Sequence, residues 1–202
     1  MNGALVVVSH PDPASLNHAL AKVVVDAWES LGFKTRFVDL HALGFDPVMS
    51  PEEARGCATD DAKVQEQIAL LVKSVLVGVV HPNCWGSPPA MMKGWMDRVF
   101  APGAAYAFAK GEDDGRAPKG LLRDKRALVL NTSNTTGARE QEAFGDPLER
   151  IWRDCLLGYC GFERVDRQVY RVVANSTKEE RRDWLADAGL RAIKLAGQPI
   201  RP

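Results

Sequence analysis

Short runs of consecutive apolar residues alternate along this chain with longer segments in which apolar positions recur at helical spacing. The runs predict strands near residues 4–9, 34–39, 75–80, 126–131 and 164–171. Between the first two, Leu16, Ala19, Leu20, Val23, Val24, Ala27 and Leu31 fall at i, i+3, i+4, i+7, i+8, i+11 and i+15, the pattern of a helix with one face on a sheet. Ser15 stands where its N-cap is expected and Gly32 where it should end. Val64, Ile68 and Leu71 mark a second helix, and Met92, Trp95, Met96 and Val99 a third. Asp146-Pro147 reads as N-cap and first residue of a fourth, with Leu148, Ile151, Trp152, Cys155 and Tyr159 on its buried face. Thr177-x-x-Glu180 is a capping box for the last.

Strand and helix thus alternate throughout, which predicts a parallel sheet with helices on both faces, built as one domain over residues 1–202. Five strands with five helices suggest the flavodoxin-like order 2-1-3-4-5, an α/β doubly wound arrangement. Its ligand crevice opens where the chain reverses direction, between the first and third strands. The loops leaving those two strands are therefore the first places to look for chemistry.

After the first strand comes Ser9-His10-Pro11-Asp12-Pro13-Ala14-Ser15-Leu16-Asn17. Free backbone N–H groups at the start of the following helix, with Ser15 as cap, favour a phosphate. The same residues also read as an ordinary turn, with His10 bonded to backbone. After the third strand comes His81-Pro82-Asn83-Cys84-Trp85-Gly86-Ser87-Pro88-Pro89. Proline stiffens this loop, and Gly86 lets main chain approach a ring. Trp85 offers an apolar face to a flat ligand or else covers the core over a tight turn; Cys84 touches a ligand or fills space. A third loop follows the fourth strand at Asn131-Thr132-Ser133-Asn134-Thr135-Thr136-Gly137, where small polar residues supply donors.

Composition narrows the partners. Lys+Arg and Asp+Glu both number 26, so no electrostatic footprint for nucleic acid or for a membrane surface is expected, nor the acidity of a simple electron carrier. No run approaches a membrane span and no Lys or Arg precedes the first apolar segment, which reads as a cytoplasmic protein. Cys57, Cys84, Cys155 and Cys160 lack C-x-x-C spacing and read as reduced thiols. The histidines at 10, 18, 41 and 81 form no i, i+4 pair, so no metal site is expected. The chain contains no G-x-G, no phosphate-binding G-x-x-x-x-G-K-[ST] and no nucleophile elbow G-x-S-x-G, which removes the basis for dinucleotide-fold, P-loop and serine-hydrolase readings.

Several blocks, in order, carry a family resemblance: Ser9-His10 with Ser15-x-Asn17; residues 38–50, Val-Asp-Leu-His-Ala-Leu-Gly-Phe-Asp-Pro-Val-Met-Ser; Pro82-x-x-Trp85; Lys93-Gly94-Trp95 with Arg98-Val99-Phe100; and Cys160-Gly161-Phe162. The chain resembles the flavodoxin-like NAD(P)H:quinone oxidoreductases, which include the diaphorases, the modulator-of-drug-activity proteins and the ancillary oxidoreductases of glutathione-gated potassium efflux. The resemblance implies two-electron, ping-pong reduction of a quinone-like acceptor by NAD(P)H, with FAD as cofactor or, alternatively, FMN. On that reading Ser15, Leu16 and Asn17 hold phosphate, His10 is a further cofactor-binding residue, and Pro82, Asn83, Cys84 and Trp85 meet the ring. Thr132, Ser133, Asn134 and Thr135 serve its polar edge, where negative charge develops on reduction.

In the segment 101–125, Tyr106 and Phe108 match an aromatic pair that covers the substrate beside the flavin, from one side of a homodimer interface. The chain departs from the family after the fourth strand. The diaphorases have two glycines there, then a tyrosine and a histidine; Ser133-Asn134-Thr135 hold the glycine positions here, and residues 138–144 contain neither Tyr nor His. Two other functional classes stay open at this point: a flavin-binding regulatory subunit of a membrane efflux system, and a one-electron flavodoxin-type carrier.

Overall fold

The structure, a computed structural model, describes residues 3–108 and 118–197. In chain order the elements are β1 (Gly3–Val8), α1 (Leu16–Ser30), β2 (Lys34–Asp39), α2 (Pro51–Ala54), α3 (Ala62–Lys73), β3 (Ser74–Pro82) and α4 (Ala90–Val99). There follow β4 (Tyr106–Ala107), β5 (Lys119–Gly120), β6 (Arg126–Ser133), α5 (Gly137–Ala143) and α6 (Pro147–Glu149). The chain continues as a π-helix (Arg150–Gly158), β7 (Arg164–Arg171), a 3₁₀ turn (Val173–Asn175) and α7 (Lys178–Ala196). Five strands pair in parallel in the order β2-β1-β3-β6-β7, which is the expected 2-1-3-4-5 once the small antiparallel ribbon β4-β5 is set apart.

The central strands are apolar throughout because both of their faces are covered. Leu5 and Val7 of β1, Val77 and Val79 of β3, and Ala127 and Val129 of β6 point into one core with α3, α4 and the π-helix. Ala4, Val6 and Val8, Leu76 and Val80, and Leu128 and Leu130 point into the other, under α1 and α7. Trp28 of α1 lies fully buried in this second layer and donates its Nε1–H to the Ala192 carbonyl of α7 at 3.0 Å. Gly78 makes room for it, since a Cβ there would stand 3.3 Å from the indole ring.

Two helical faces differ from their sequence patterns. In α1 the buried residues are Asn17, Leu20, Ala21, Val24, Val25 and Trp28, while Leu31 is half exposed. The face is turned by about one residue because Trp28, off the aliphatic stripe, is the side chain that fills the gap toward α7. In the fourth helix Leu148, Trp152 and Leu157 are buried, whereas Cys155 and Tyr159 are exposed. Spacings of four and then five replace the expected period because the segment is a π-helix, whose i→i+5 turns rotate the following residues out of an α-helical stripe. β3 and β6 also run longer than expected, taking in His81 and Pro82, and Thr132 and Ser133. The polar stretch 110–116 lies outside the described residues.

The Lys93 to Phe100 block is scaffold. A Cβ on Gly94 would lie 2.3 Å from Pro47, so only glycine lets the 46–49 segment cross α4. Arg98, 6% exposed, reaches both carboxylate oxygens of Glu53 through Nε and also donates to the Asp46 carbonyl at 2.7 Å. Burial pushes the Glu53 carboxyl up, but Arg98 and the hydrogen bonds from Thr59 and Ser50 outweigh it and hold it at about 2. Ser50 and Glu53 close a capping box at the same point, so one carboxylate ties α2 to α4.

Candidate functional site

The carboxyl ends of β1, β3 and β6 converge on one crevice of about 820 Å³, a size suited to a small-molecule ligand. From the β1 end come His10, Ser15, Leu16 and Asn17, from the β3 end Pro82, Asn83 and Trp85, and from the β6 end Thr132, Ser133, Asn134 and Thr135. Of the residues expected to hold the cofactor, Cys84 alone does not line it. Partial burial pushes the Cys84 thiol up, away from the thiolate form, in keeping with a space-filling side chain.

Each loop is held by its own hydrogen bonds. His10 Nδ1 lies 3.1 Å from the Asp12 backbone nitrogen and 3.2 Å from the Asp12 carbonyl oxygen, which ties the ring to the loop backbone. Ser15 caps α1, its Oγ accepting from the His18 N–H. Asn17 is buried, and its Oδ1 accepts from Thr132 Oγ1 at 3.2 Å, locking the first loop to the third. The Asn83 N–H donates to the Thr132 carbonyl at 2.7 Å, joining the second loop to the third.

Cys84 and Ser87 exchange both backbone hydrogen bonds, at 2.9 and 3.0 Å, around Trp85 and Gly86. Both of those central residues have positive φ, 59° and 76°, as a type I′ turn demands. Glycine adopts this freely, but tryptophan does not. Asn83 stabilises the turn, its Oδ1 accepting from Gly86 N–H at 2.8 Å and its amide donating to the buried Glu140 carboxylate at 3.0 Å. The turn holds Trp85 wholly in solvent, at 104% relative exposure, so this side chain does not cover the core.

Further residues that the sequence did not single out also line the crevice, among them Asp12, Arg139, Phe144, Val173 and Arg181. Arg139 and Phe144 stand on and just after α5, a short helix capped by Thr136 in the segment where the resemblance breaks down. Arg181 comes from α7, with Nε donating to Ser176 Oγ at 2.8 Å. Nothing local marks these two arginines, because only the tertiary fold carries α5 and α7 to the mouth of the crevice. Their charges make it attractive to an anion.

Tyr106 and Phe108 lie elsewhere. They stack edge to face at 5.7 Å, and Tyr106 meets Tyr159 at 5.4 Å. Tyr106 borders a separate, mostly apolar groove of about 880 Å³ that includes Met49, Ile68, Val72 and Ala101, and Phe108 is largely exposed. Neither aromatic reaches the crevice of its own chain. Among the described residues no His/Cys/Asp/Glu group could hold a metal ion, and no helix is long and apolar enough to cross a membrane.

A family model described as flavodoxin-like fold matches residues 2–193. The chain belongs to this flavodoxin-like family. It is 27% identical over 209 residues to NAD(P)H dehydrogenase (quinone) 1 of Cavia porcellus, covering 91% of this chain and 73% of that protein. It is 29% identical over 205 residues to ribosyldihydronicotinamide dehydrogenase (quinone) of Homo sapiens, covering 90% and 87%. Among solved structures, NAD(P)H:quinone oxidoreductase from Methanothermobacter marburgensis superposes with a TM-score of 0.80 at 20% identity, over 98% of each chain.

In this member of the flavodoxin-like family a buried polar network supports the second loop from below. His81 is inaccessible to solvent and bonded through both ring nitrogens. Asn131, beside it, accepts from Arg167 Nε at 2.7 Å, and Arg167 in turn holds Asp146 and Glu149. The network connects the start of the Pro82–Trp85 loop to the cap of the fourth helix. The donor set above it fits a flavin nucleotide: backbone N–H groups and a hydroxyl at the start of α1 for phosphate, hydroxyls for a polar ring edge, and an exposed indole for an apolar face.

Proposed function

We propose that this protein is a flavin-dependent NAD(P)H oxidoreductase that reduces quinones or similar acceptors by two-electron, ping-pong transfer. The observation that carries the reading is the meeting of three loops, from β1, β3 and β6, on one crevice at the switch point of the sheet. The quinone dehydrogenase activity for which the sequence relatives are named supports the same reading. The chemistry a flavin supplies when bound is acceptance of a hydride from NAD(P)H and delivery of two electrons to the acceptor.

The protein's own residues bind and orient. Ser15, Leu16 and Asn17 present the start of α1 to phosphate, with His10 beside them. Pro82, Asn83 and Trp85 would meet the ring. Thr132, Ser133, Asn134 and Thr135 offer donors to its polar edge. FAD is the first choice of cofactor and FMN the alternative, both being phosphate esters suited to the cationic rim formed by Arg139 and Arg181.

The acceptor side is assigned to Tyr106 and Phe108 acting on the crevice of a second copy in a homodimer. Supporting this are their distance from their own crevice and the apolar groove beside Tyr106, flanked by the exposed Met49 and Val72. The test is the absorbance spectrum of the purified protein, release and chromatography of its cofactor, and NAD(P)H-dependent reduction of a small benzoquinone. A protein that binds neither FAD nor FMN overturns the reading.

A further inference from the structure

Ser15, His18 and Asp39 form a continuous hydrogen-bonded chain from the crevice to the end of β2. Ser15 Oγ lies 2.9 Å from His18 Nδ1, and His18 Nε2 lies 2.9 Å from Asp39 Oδ2. The His18 and Asp39 side chains are 12% and 15% exposed. The other carboxylate oxygen, Oδ1, accepts from the backbone N–H groups of His41 at 2.9 Å and Ala42 at 3.2 Å, which fixes its orientation. Partial burial pushes the Asp39 carboxyl up, but the His18 contact and those two N–H groups hold it below its ordinary value. Asp39 is therefore an acceptor, and Nε2 of His18 must carry a proton.

The state of Nδ1 then decides what Ser15 offers the crevice. With a neutral imidazole, Nδ1 has only a lone pair, so the Ser15 hydroxyl proton points at it and the crevice faces oxygen lone pairs. That polarity is wrong for a phosphate. With a second proton, on Nδ1, the ring donates to Ser15 Oγ and the hydroxyl proton is free to turn outward. One added proton thus supplies a hydrogen-bond donor and a positive charge at the start of α1, where an anion is already favoured.

We propose that His18 and Asp39 are a positioning pair for the Ser15 hydroxyl, and that seating a flavin phosphate against Ser15 draws one proton onto His18. The inference rests on the flavin reading of this crevice. The groups facing His18 are Asp39 from β2 and, from its own loop, Ser15 and the His10 ring, edge-on at 6.5 Å with Asp12 bonded to it. Arg139 and Arg181, from α5 and α7, face the same anion. Their guanidinium groups contribute affinity in wild type and variant alike, so the comparison with His18→Gln cancels them.

Calorimetric titration of the flavin-stripped full chain with FAD, FMN and riboflavin, from pH 6 to 8 and in buffers of different ionisation heat, tests this. The phosphate of FMN itself titrates near 6, so the protein's proton is read as the difference between wild type and His18→Gln. Wild type is expected to take up more protons than His18→Gln with either nucleotide and no more with riboflavin. Its nucleotide affinity should fall by up to about tenfold per pH unit at the steepest.

Asp39→Asn gives an opposite-signed check. An amide at 39 can donate to Nε2, which moves the ring proton to Nδ1 and frees the serine hydroxyl without protonation. Its nucleotide affinity is expected to lose the slope and to exceed wild type at pH 8. Equal proton uptake in wild type and His18→Gln, or an Asp39→Asn protein that binds more weakly than wild type at pH 8, overturns the inference while leaving the flavin reading standing. A chain that binds none of the three flavins overturns both.

Discussion

The indole Nε1–H of Trp152 donates to His81 Nε2 at 2.9 Å, in the interior beneath the loop that carries Trp85. The Asn131 amide approaches the same nitrogen at 3.0 Å, and Nδ1 donates to the Pro82 carbonyl at 2.8 Å. Every hydrogen-bonding position of the neutral ring is thereby used, and a second proton on Nε2 would face two donors.

Acid should therefore weaken this protein in a specific window. Burial, against the pull of the Pro82 carbonyl and with help from the Arg167 charge, lowers His81 from 6.5 to about 4. The unfolded chain then binds more protons than the folded one between those values, so the His81 contribution is complete above pH 6.5 and is lost as the pH falls toward 4. The loss should reach about 3 kcal/mol, at 1.4 kcal/mol per pH unit. Urea unfolding at pH 7 and pH 4.5, compared with His81→Phe, checks it: a slope unchanged in the variant would assign the acid sensitivity to other groups.

Trp85→Ala should weaken flavin binding by about 1–3 kcal/mol, the value of an aromatic face buried against a ring. Its fully exposed side chain supports no part of the core, and alanine keeps the Cβ that strains the positive φ, so the thermal midpoint should hold near wild type. Titration of flavin-stripped protein with FMN and FAD measures the first effect and calorimetry the second. Unchanged affinity in a folded variant would remove Trp85 from the site.

Replacing both Tyr106 and Phe108 by Ala should leave flavin content near normal, since neither side chain touches its own crevice. Reoxidation by a small benzoquinone should slow or its KM rise, with a smaller loss in reduction by NADPH. Stopped-flow kinetics separates the two half-reactions. If both run at wild-type rates with flavin bound, the pair belongs to some other surface.

Gly94→Ala places a methyl group 2.3 Å from Pro47, against backbone as well as ring atoms, where no side-chain rotation relieves it. The expected cost is about 1–3 kcal/mol or more. Denaturant midpoints would show it, and a variant as stable as wild type would mean that the 46–49 segment moves freely off α4.

Strand order, both core layers and the three crevice loops were legible from pattern because each rests on local periodicity or on a turn between apolar runs. The Lys93 to Phe100 block was legible as a family signature but not as structure, since the partners of Gly94 and Arg98 lie about 45 residues away, at Pro47 and Glu53. Arg139 and Arg181 escaped for the same reason. Trp85 could be read as core cover or as ligand face because only its positive φ turns it outward, and no pattern of residue types encodes that. The face of the fourth helix was misjudged because periodicity assumes an α-helical turn.

That wide turn also bears on how the length of this segment can change. Between Trp152 and Leu157 the chain spends five residues where an α-helix would spend four to reach the same face. Removing one residue there would bring these two side chains to α-helical spacing on the same face. A single-residue deletion, ordinarily among the most damaging changes to a buried helix, is here the change expected to regularise it.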